Sequence, residues 1–307
     1  MKDAHVAAHA RACKKRSIAF ARRPDDKLRE QGGICLVKSL SIEDAFQWTQ
    51  RFVAREWKLL LPLALAFLAV PQLAFNLLVP SGINAAFSKG NPQLVMQSFE
   101  KAPWVMPSAL IVQLIALAGS LCITALAMVP RISVREAISL GLQRLPWLVA
   151  AVVFTFLAVT LAALLVATLL QFLPINPMGV KALLVLFMLG IALFLWIRLL
   201  VLGAVIVGTR AGPTAAIRLA WELSAGAFWR LLGCVLVYAI GAWVVTLAST
   251  FALGAIFILV CTAVGLPALG PVLSLTYAAL ASAVFWGGFH VLVVALYRQL
   301  GGSIRGA

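Results

Sequence analysis

Acidic residues are missing from the apolar stretches of this sequence. The chain has ten Asp and Glu residues in 307 positions, and 63% of its residues are hydrophobic against 11% charged. The acids all lie outside the long apolar runs: Asp3, Asp25, Asp26, Glu30, Glu43, Asp44, Glu56, Glu100, Glu136 and Glu222. Proton relays and cation-coupled carriers usually place such groups inside membrane spans. The sequence therefore argues against both.

Cysteine and histidine are too few and too scattered for a metal centre or a disulfide framework. The cysteines occur singly, with no C-x-x-C pair: Cys13, Cys35, Cys122, Cys234 and Cys261. His5 and His9 lie near the N-terminus, far along the chain from His290. No nucleophile elbow, H-E-x-x-H, P-loop or dinucleotide fingerprint occurs either. We expect no metal and no other cofactor, and we predict a protein that is not an enzyme.

Six long apolar runs dominate what is present. They cover about residues 59–79, 105–129, 147–172, 182–208, 231–260 and 271–297. A helix needs about 20 apolar residues to cross a bilayer, and a soluble fold of this length could not bury so much apolar surface in one core. The sequence predicts an all-α fold, a polytopic transmembrane bundle of six helices, within a membrane domain over residues 39–302.

Basic residues fall on alternate connections between these runs. Of the 25 Lys and Arg residues, 21 lie in segments that would share one side of the membrane, three lie on the other side, and Arg198 lies within a run. Lys and Arg are retained on the cytoplasmic side, so both termini are predicted to be cytoplasmic. The net charge of +15 therefore indicates topology, and no nucleic-acid partner is expected.

Residues 1–38 form a separate basic segment with ten basic and four acidic side chains. We interpret it as a disordered cytoplasmic tail or as the product of a start assigned too far upstream. The alternative is contact with anionic lipid headgroups, worth roughly 1 kcal/mol per basic residue near the surface.

A similar pattern recurs before the first, third and fifth runs. Two of the copies begin S-x-x-[DE], from Ser41 and Ser133, and the third begins with Gly212 and Pro213. The first pattern is typical of a capping box, and the second of a helix with proline in its first turn. Apolar and basic residues then alternate as on a helix lying in the membrane interface. Three repeats are predicted, each an interfacial amphipathic helix and a transmembrane hairpin, over about 41–130, 131–208 and 209–300; the alternative is chance recurrence.

The stretch from Trp196 to Gly233 carries a resemblance to a known family. Its landmarks are Gly212-Pro213-Thr214-Ala215-Ala216 and Ala220-Trp221-Glu222-Leu223-Ser224-Ala225-Gly226-Ala227-Phe228-Trp229-Arg230. These resemble bacterial six-helix membrane proteins related to the glycerophosphoryl diester phosphodiesterase membrane domain, over about residues 39–302. The resemblance implies a bacterial inner-membrane protein. It implies no hydrolase, because the catalytic barrel of that family is a separate domain.

Two positions depart from the pattern of that family. The chain has Leu219-Ala220 where Arg-Ser often precedes the tryptophan, and it has Gly208 where an acid often closes the fourth span. The resemblance therefore supports architecture more than activity.

Five polar residues within the runs are candidates for an intramembrane polar site: Arg198, His290, Gln72, Asn76 and Gln113. Arg198 would lie about 16 Å from the inner end of a 27-residue span at about 1.5 Å per residue, or it would snorkel to the headgroups if the helix left the membrane near Leu202. An anion or lipid phosphate is its functional alternative. His290 is interpreted as a packing residue rather than a ligand, and the amides as bundle hydrogen bonds rather than a cavity lining.

Two functions are consistent with these features. The first is a non-enzymatic inner-membrane protein that acts in envelope or lipid homeostasis, or as an accessory subunit. Its partners would be the lipid bilayer and anionic lipid headgroups on the cytoplasmic side. The second is a transporter or permease for a neutral or anionic solute, using Arg198 and the intramembrane amides.

Overall fold

The described part of the chain is helical. The computed structural model describes residues 41–79, 97, 100–129, 132–171, 177–209 and 212–301. Those residues contain no β-strand, and six of their helical stretches are long and apolar enough to cross a membrane. The predicted all-α, polytopic six-helix bundle is confirmed, and the chain is a multi-pass membrane protein. The predicted tail, residues 1–38, lies outside the described residues.

The helices are numbered here in chain order. They are α1 (Ile42–Ala64), a π-helical segment (Leu65–Ala69), α2 (Val70–Leu78), α3 (Val105–Met128), α4 (Val134–Gln171), α5 (Pro177–Arg198), α6 (Leu202–Gly208), α7 (Pro213–Ser224), α8 (Phe228–Ala263) and α9 (Leu269–Gln299). The first candidate membrane helix combines α1, the π-helical segment and α2, and the fourth combines most of α5 with α6.

Side chains and proline fix the starts of α1, α4 and α7. The Ser41 hydroxyl accepts a hydrogen bond from the Asp44 amide at 3.2 Å. Ser133 forms a reciprocal capping box: its hydroxyl accepts from the Glu136 amide at 3.3 Å, and its own amide donates to the Glu136 carboxylate at 3.0 Å. Pro213 occupies the first turn of α7. Backbone nitrogens in a first turn donate no hydrogen bond within the helix, so the missing N–H of proline costs nothing there. The helix starts match the predicted pattern.

The three helix starts continue into their spans in different ways. The backbone of α1 kinks at Glu56, where φ is −106° and ψ is 15°, whereas α4 runs unbroken for 38 residues. Between α7 and α8 the chain turns at Gly226, which has a φ of 82°. Residues with a Cβ rarely adopt this left-handed conformation, so glycine permits the sharp break there.

Most of the core lies at one end of the bundle, which we call the packed end. It is formed by Leu121–Met128 of α3, by helix α6 and by Phe289–Tyr297 of α9. Buried residues of α1, α4, α7 and α8 pack around them. Helices α3 and α9 are central: 50% and 56% of their most apolar stretches are buried, against 6% in α4 and α8. The contacts that organise the bundle therefore concentrate on two of its helices.

Glycines allow helices to approach closely at the packed end. A Cβ added to Gly141 of α4 would lie 2.6 Å from the Cys122 sulfur of α3. One added to Gly208 of α6 would lie 2.7 Å from Cε of Met128 and 3.2 Å from the Tyr297 hydroxyl oxygen. Small residues at such crossings are typical of membrane helix packing. Gly141 and Gly208 thus leave room for the side chains of neighbouring helices.

The opposite end, which we call the open end, is held together by fewer helices. The α8–α9 hairpin packs along its length: the Tyr238 hydroxyl donates to the Phe285 carbonyl at 2.7 Å, and a Cβ on Gly270 would meet Cα of Ile258 at 2.9 Å. The outward faces of this hairpin are exposed, as at Phe251 (70%) and Leu259 (72%). Such faces are suited to contact with lipid tails.

Candidate functional site

A break in the fourth span determines where Arg198 lies. Helix α5 ends at Arg198, residues Leu199–Val201 form a turn, and α6 begins at Leu202. In the turn, the Leu202 amide donates to the Leu199 carbonyl at 2.9 Å. Arg198 therefore sits at a helix end beside α7 rather than in the middle of one continuous helix. The candidate membrane span Leu186–Gly208 continues through this turn, so snorkelling of Arg198 stays a prediction.

Aromatic rings and α7 surround the Arg198 guanidinium. Its central carbon lies 4.9 Å from the centroid of the Trp221 ring and 5.3 Å from that of Phe194, within the range of cation–π attraction. Its Nη1 donates to the Trp221 carbonyl and to the Ser224 hydroxyl, each at the long distance of 3.5 Å. Ser224 is fully buried, and its hydroxyl donates back to the Trp221 carbonyl at 3.0 Å. Helix α7 thus orients the guanidinium mainly through the Trp221 ring and through the polar groups of its last turn.

Among the described residues, Arg198 has no acidic partner. The nearest acid along α7 is Glu222, and its carboxylate already accepts from Arg218 Nε at 2.8 Å. The Nε atom of Arg198 is enclosed and lacks a hydrogen-bond partner among the described residues. An arginine carries five N–H donors and a fixed positive charge, so this one retains both unused donors and an uncompensated charge.

An apolar groove between α4 and α5 ends next to this guanidinium. It has a volume of about 290 Å³. Its walls include Ala158 and Ala162 from α4 and Met188 from α5, and Leu199 and Trp221 lie at the arginine end. The only hydroxyl among the described lining residues, that of Thr155, donates to the Ala151 carbonyl at 2.8 Å. Trp221 thus contributes both to the groove and to the surroundings of Arg198.

The other four candidate residues lie elsewhere. On α2, the Gln72 side chain donates to the Asn76 side chain at 3.2 Å, and Gln72 is exposed. Gln113 is exposed on α3. His290 is partly exposed on α9, with its ring 5.9 Å from that of Phe289. The structure pairs the two residues on α2 but does not gather the five candidates into one site, and Arg198 alone of them adjoins the groove.

Arg298 is a structurally important cation that sequence reasoning did not single out. Its Nη2 donates to the carbonyls of Ala127 and Met128, each at 2.9 Å, at the end of α3. Its guanidinium carbon lies 4.8 Å from the Trp48 ring centroid of α1. The last carbonyls of a helix have no partner within that helix, so Arg298 satisfies two of them and links three helices. In the sequence, the only indication of this role is that an arginine lies near the end of the last apolar run. That position does not identify the carbonyls of α3 as its partners.

The described residues hold no group of three or more His, Cys, Asp or Glu side chains placed to bind a metal ion. Cys122 and Cys234 are buried and unpaired, and Cys261 is unpaired and partly exposed. No family model, no curated protein and no solved structure matches the chain. The surroundings of Arg198 are therefore the feature of the described residues that bears most directly on function.

Proposed function

We propose that this chain is a non-enzymatic protein of the bacterial inner membrane that acts in envelope or lipid homeostasis by binding anionic lipid at the cytoplasmic leaflet. The observation that carries the proposal is the uncompensated Arg198 at the end of an apolar groove. A buried or half-buried cation without an acid attracts an anion, and the surrounding apolar surface suits acyl chains better than a polar solute.

The distribution of charge supports the proposed orientation. The segments predicted to be cytoplasmic, which include parts of α1, α4, α7, α8 and α9 at the packed end as well as the connections and termini, hold 21 of the 25 basic residues. The side chains of Arg55 and Arg218 are 73% and 83% exposed, as expected for cations at a headgroup layer. Because positive residues are retained on the cytoplasmic side, this distribution supports a cytoplasmic location for the packed end and both termini. The resemblance to the six-helix bacterial family is consistent with the same proposal.

The transporter alternative has less support. A transporter needs polar side chains that line a common path for the solute through the bundle. Gln72 and Asn76 instead form a hydrogen bond with each other on α2, and Gln113 is exposed on α3. The apolar lining of the groove also offers little to a hydrophilic solute.

Lipid enrichment tests the proposed function directly. The full-length protein is extracted in native membrane discs, and the lipids in the discs are counted by mass spectrometry against the lipids of the parent membrane. We expect anionic phospholipid to be enriched over its share of the membrane. A disc composition equal to that of the bulk membrane would contradict the proposed lipid role.

A further inference from the structure

We propose that the α4–α5 groove is a binding site for a single phospholipid, with one acyl chain between α4 and α5 and the lipid phosphate on the Arg198 guanidinium. This inference rests on the proposed function and names the site, the ligand class and the residues that would bind it.

The shape of the groove matches an acyl chain. Its lining on α5 and the adjoining turn runs from Met188 to Leu199, which is about 16 Å at about 1.5 Å per residue. Phe154 on the α4 wall is 58% exposed, so the groove is open along its side. A chain could therefore enter laterally from the bilayer, without passing through the packed end.

The chemistry at the end of the groove matches a phosphate. Nη1 of Arg198 makes two long hydrogen bonds of 3.5 Å to α7, and no hydrogen-bond partner for Nη2 is found among the described residues. Arg198 as a whole is partly exposed, and a phosphate oxygen would accept from Nη2. Arginine is the preferred side chain for phosphate because its donors are arranged in a rigid fork.

The nearby charges favour an anionic headgroup over a zwitterionic one. Glu222 is already paired with Arg218, and in the sequence Arg144 and Arg230 add positive charge in the first third of α4 and the first turn of α8, both on the predicted cytoplasmic side. An ammonium-bearing headgroup would bring a further cation to a region with excess positive charge. A headgroup such as glycerol, which adds no cation, avoids this repulsion.

Photocrosslinking locates the lipid in the groove. A photoreactive amino acid replaces Ala158, which lines the groove, and a matched control replaces Val245, which is 68% exposed on α8. The full chain is reconstituted in vesicles of equimolar phosphatidylglycerol and phosphatidylethanolamine, and the crosslinked lipids are identified by mass. We expect the Ala158 probe to capture phosphatidylglycerol about tenfold more than phosphatidylethanolamine, and the Val245 probe to capture the two about equally.

Charge variants assign that preference to Arg198. The variant Arg198→Gln is expected to lose the roughly tenfold preference at the Ala158 probe, which corresponds to about 1.4 kcal/mol. Arg51→Gln removes an exposed cation on α1 whose side chain bonds to Gln47, so it is expected to retain the preference. If Arg198→Gln keeps the wild-type thermal stability in detergent, the lost lipid preference is a local effect. If Arg198→Gln unfolds, Arg198→Lys replaces it as the test, and we expect this variant to keep part of the preference.

Several outcomes would overturn the site. They are equal capture of the two lipids by the wild-type Ala158 probe, a preference that survives Arg198→Gln, or an equal loss in Arg51→Gln. If native discs still showed anionic enrichment in any of these cases, the proposed function would stand and this site would be wrong. If the Ala158 probe showed the preference while native discs had bulk composition, the site would stand and the homeostatic role would fail.

Discussion

The packed end and the open end of this bundle are built from similarly apolar helices, yet they differ in what covers them. At the packed end, residues such as Leu296 and Ile123 are completely buried by neighbouring helices. At the open end, Phe251 and Leu259 of α8 are at least 70% exposed. In a bilayer, lipid tails are as apolar as leucine, so hydrophobicity alone does not drive helices together. Close packing, capping and small residues therefore decide which end holds the fold.

Truncating one leucine at each end should give the largest contrast. Leu296→Ala leaves a cavity where the side chain is fully buried, and we expect it to lower the free energy of unfolding by about 3 kcal/mol. The control Leu259→Ala, at a site 72% exposed, should change it by less than about 0.5 kcal/mol. Reversible unfolding in mixed micelles measures both variants. Equal losses would mean that the two ends do not differ as described.

The Arg298 contacts provide a second test of the packed end. Arg298→Gln removes the charged donor to the Ala127 and Met128 carbonyls, and we expect a loss of about 2 kcal/mol because charged hydrogen bonds at a buried helix end are involved. Arg298→Lys should lose less, since an ammonium keeps the charge but not the planar fork. The same unfolding assay applies. A neutral Arg298→Gln variant would show that the α3 terminus does not depend on this cap.

Glycine substitutions give the smallest expected effect. Gly141→Ala places a methyl group 2.6 Å from the Cys122 sulfur, and overpacking of this kind is expected to cost about 1 to 2 kcal/mol. Gly190→Ala is the control: nothing lies within 4 Å of the added Cβ, so higher helix propensity should make it neutral or stabilising by up to about 1 kcal/mol. Thermal unfolding of the two variants distinguishes them. The comparison would fail if Gly190→Ala were the more damaging change.

Much of the architecture could be predicted from local features of the sequence. The apolar runs predicted the number of membrane-spanning helices, because a helix needs a minimum apolar length to cross a bilayer. The S-x-x-E pattern at Ser133 predicted a helix start because the capping contacts join residues only three positions apart. Both signals depend on neighbours in the chain.

Features that depend on distant residues could not be predicted. The carbonyls that Arg298 caps lie 170 and 171 positions away. The break after Arg198 occurs in Leu199-Leu200-Val201, which contains neither glycine nor proline. The apolar stripes of these helix starts supply fully buried core residues such as Ala45 and Ala220, whereas Leu142 of the second stripe is 49% exposed; the interfacial position of these helices stays a prediction. An amphipathic pattern does not distinguish lipid from protein as the covering surface.

The candidate site was only partly foreseeable for the same reason. Arg198 could be identified because an arginine within an apolar run is costly without a purpose. Its partners Trp221 and Ser224 are on another helix, and the groove depends on the separation of α4 from α5. Neither is encoded in a local pattern. The amides of Gln72, Asn76 and Gln113 were equally conspicuous in the sequence, but they do not adjoin the groove.

The most direct test of the central claim, that the packed end faces the cytoplasm, is cysteine accessibility in intact cells. In a variant whose five native cysteines are replaced by alanine, single cysteines are introduced at Ser139 near the packed end or at Ala268 in the α8–α9 turn, both exposed. We predict that a membrane-impermeant maleimide labels position 268 in cells with intact inner membranes and labels position 139 only after permeabilisation. Labelling of position 139 in intact cells, with position 268 protected, would contradict the claim.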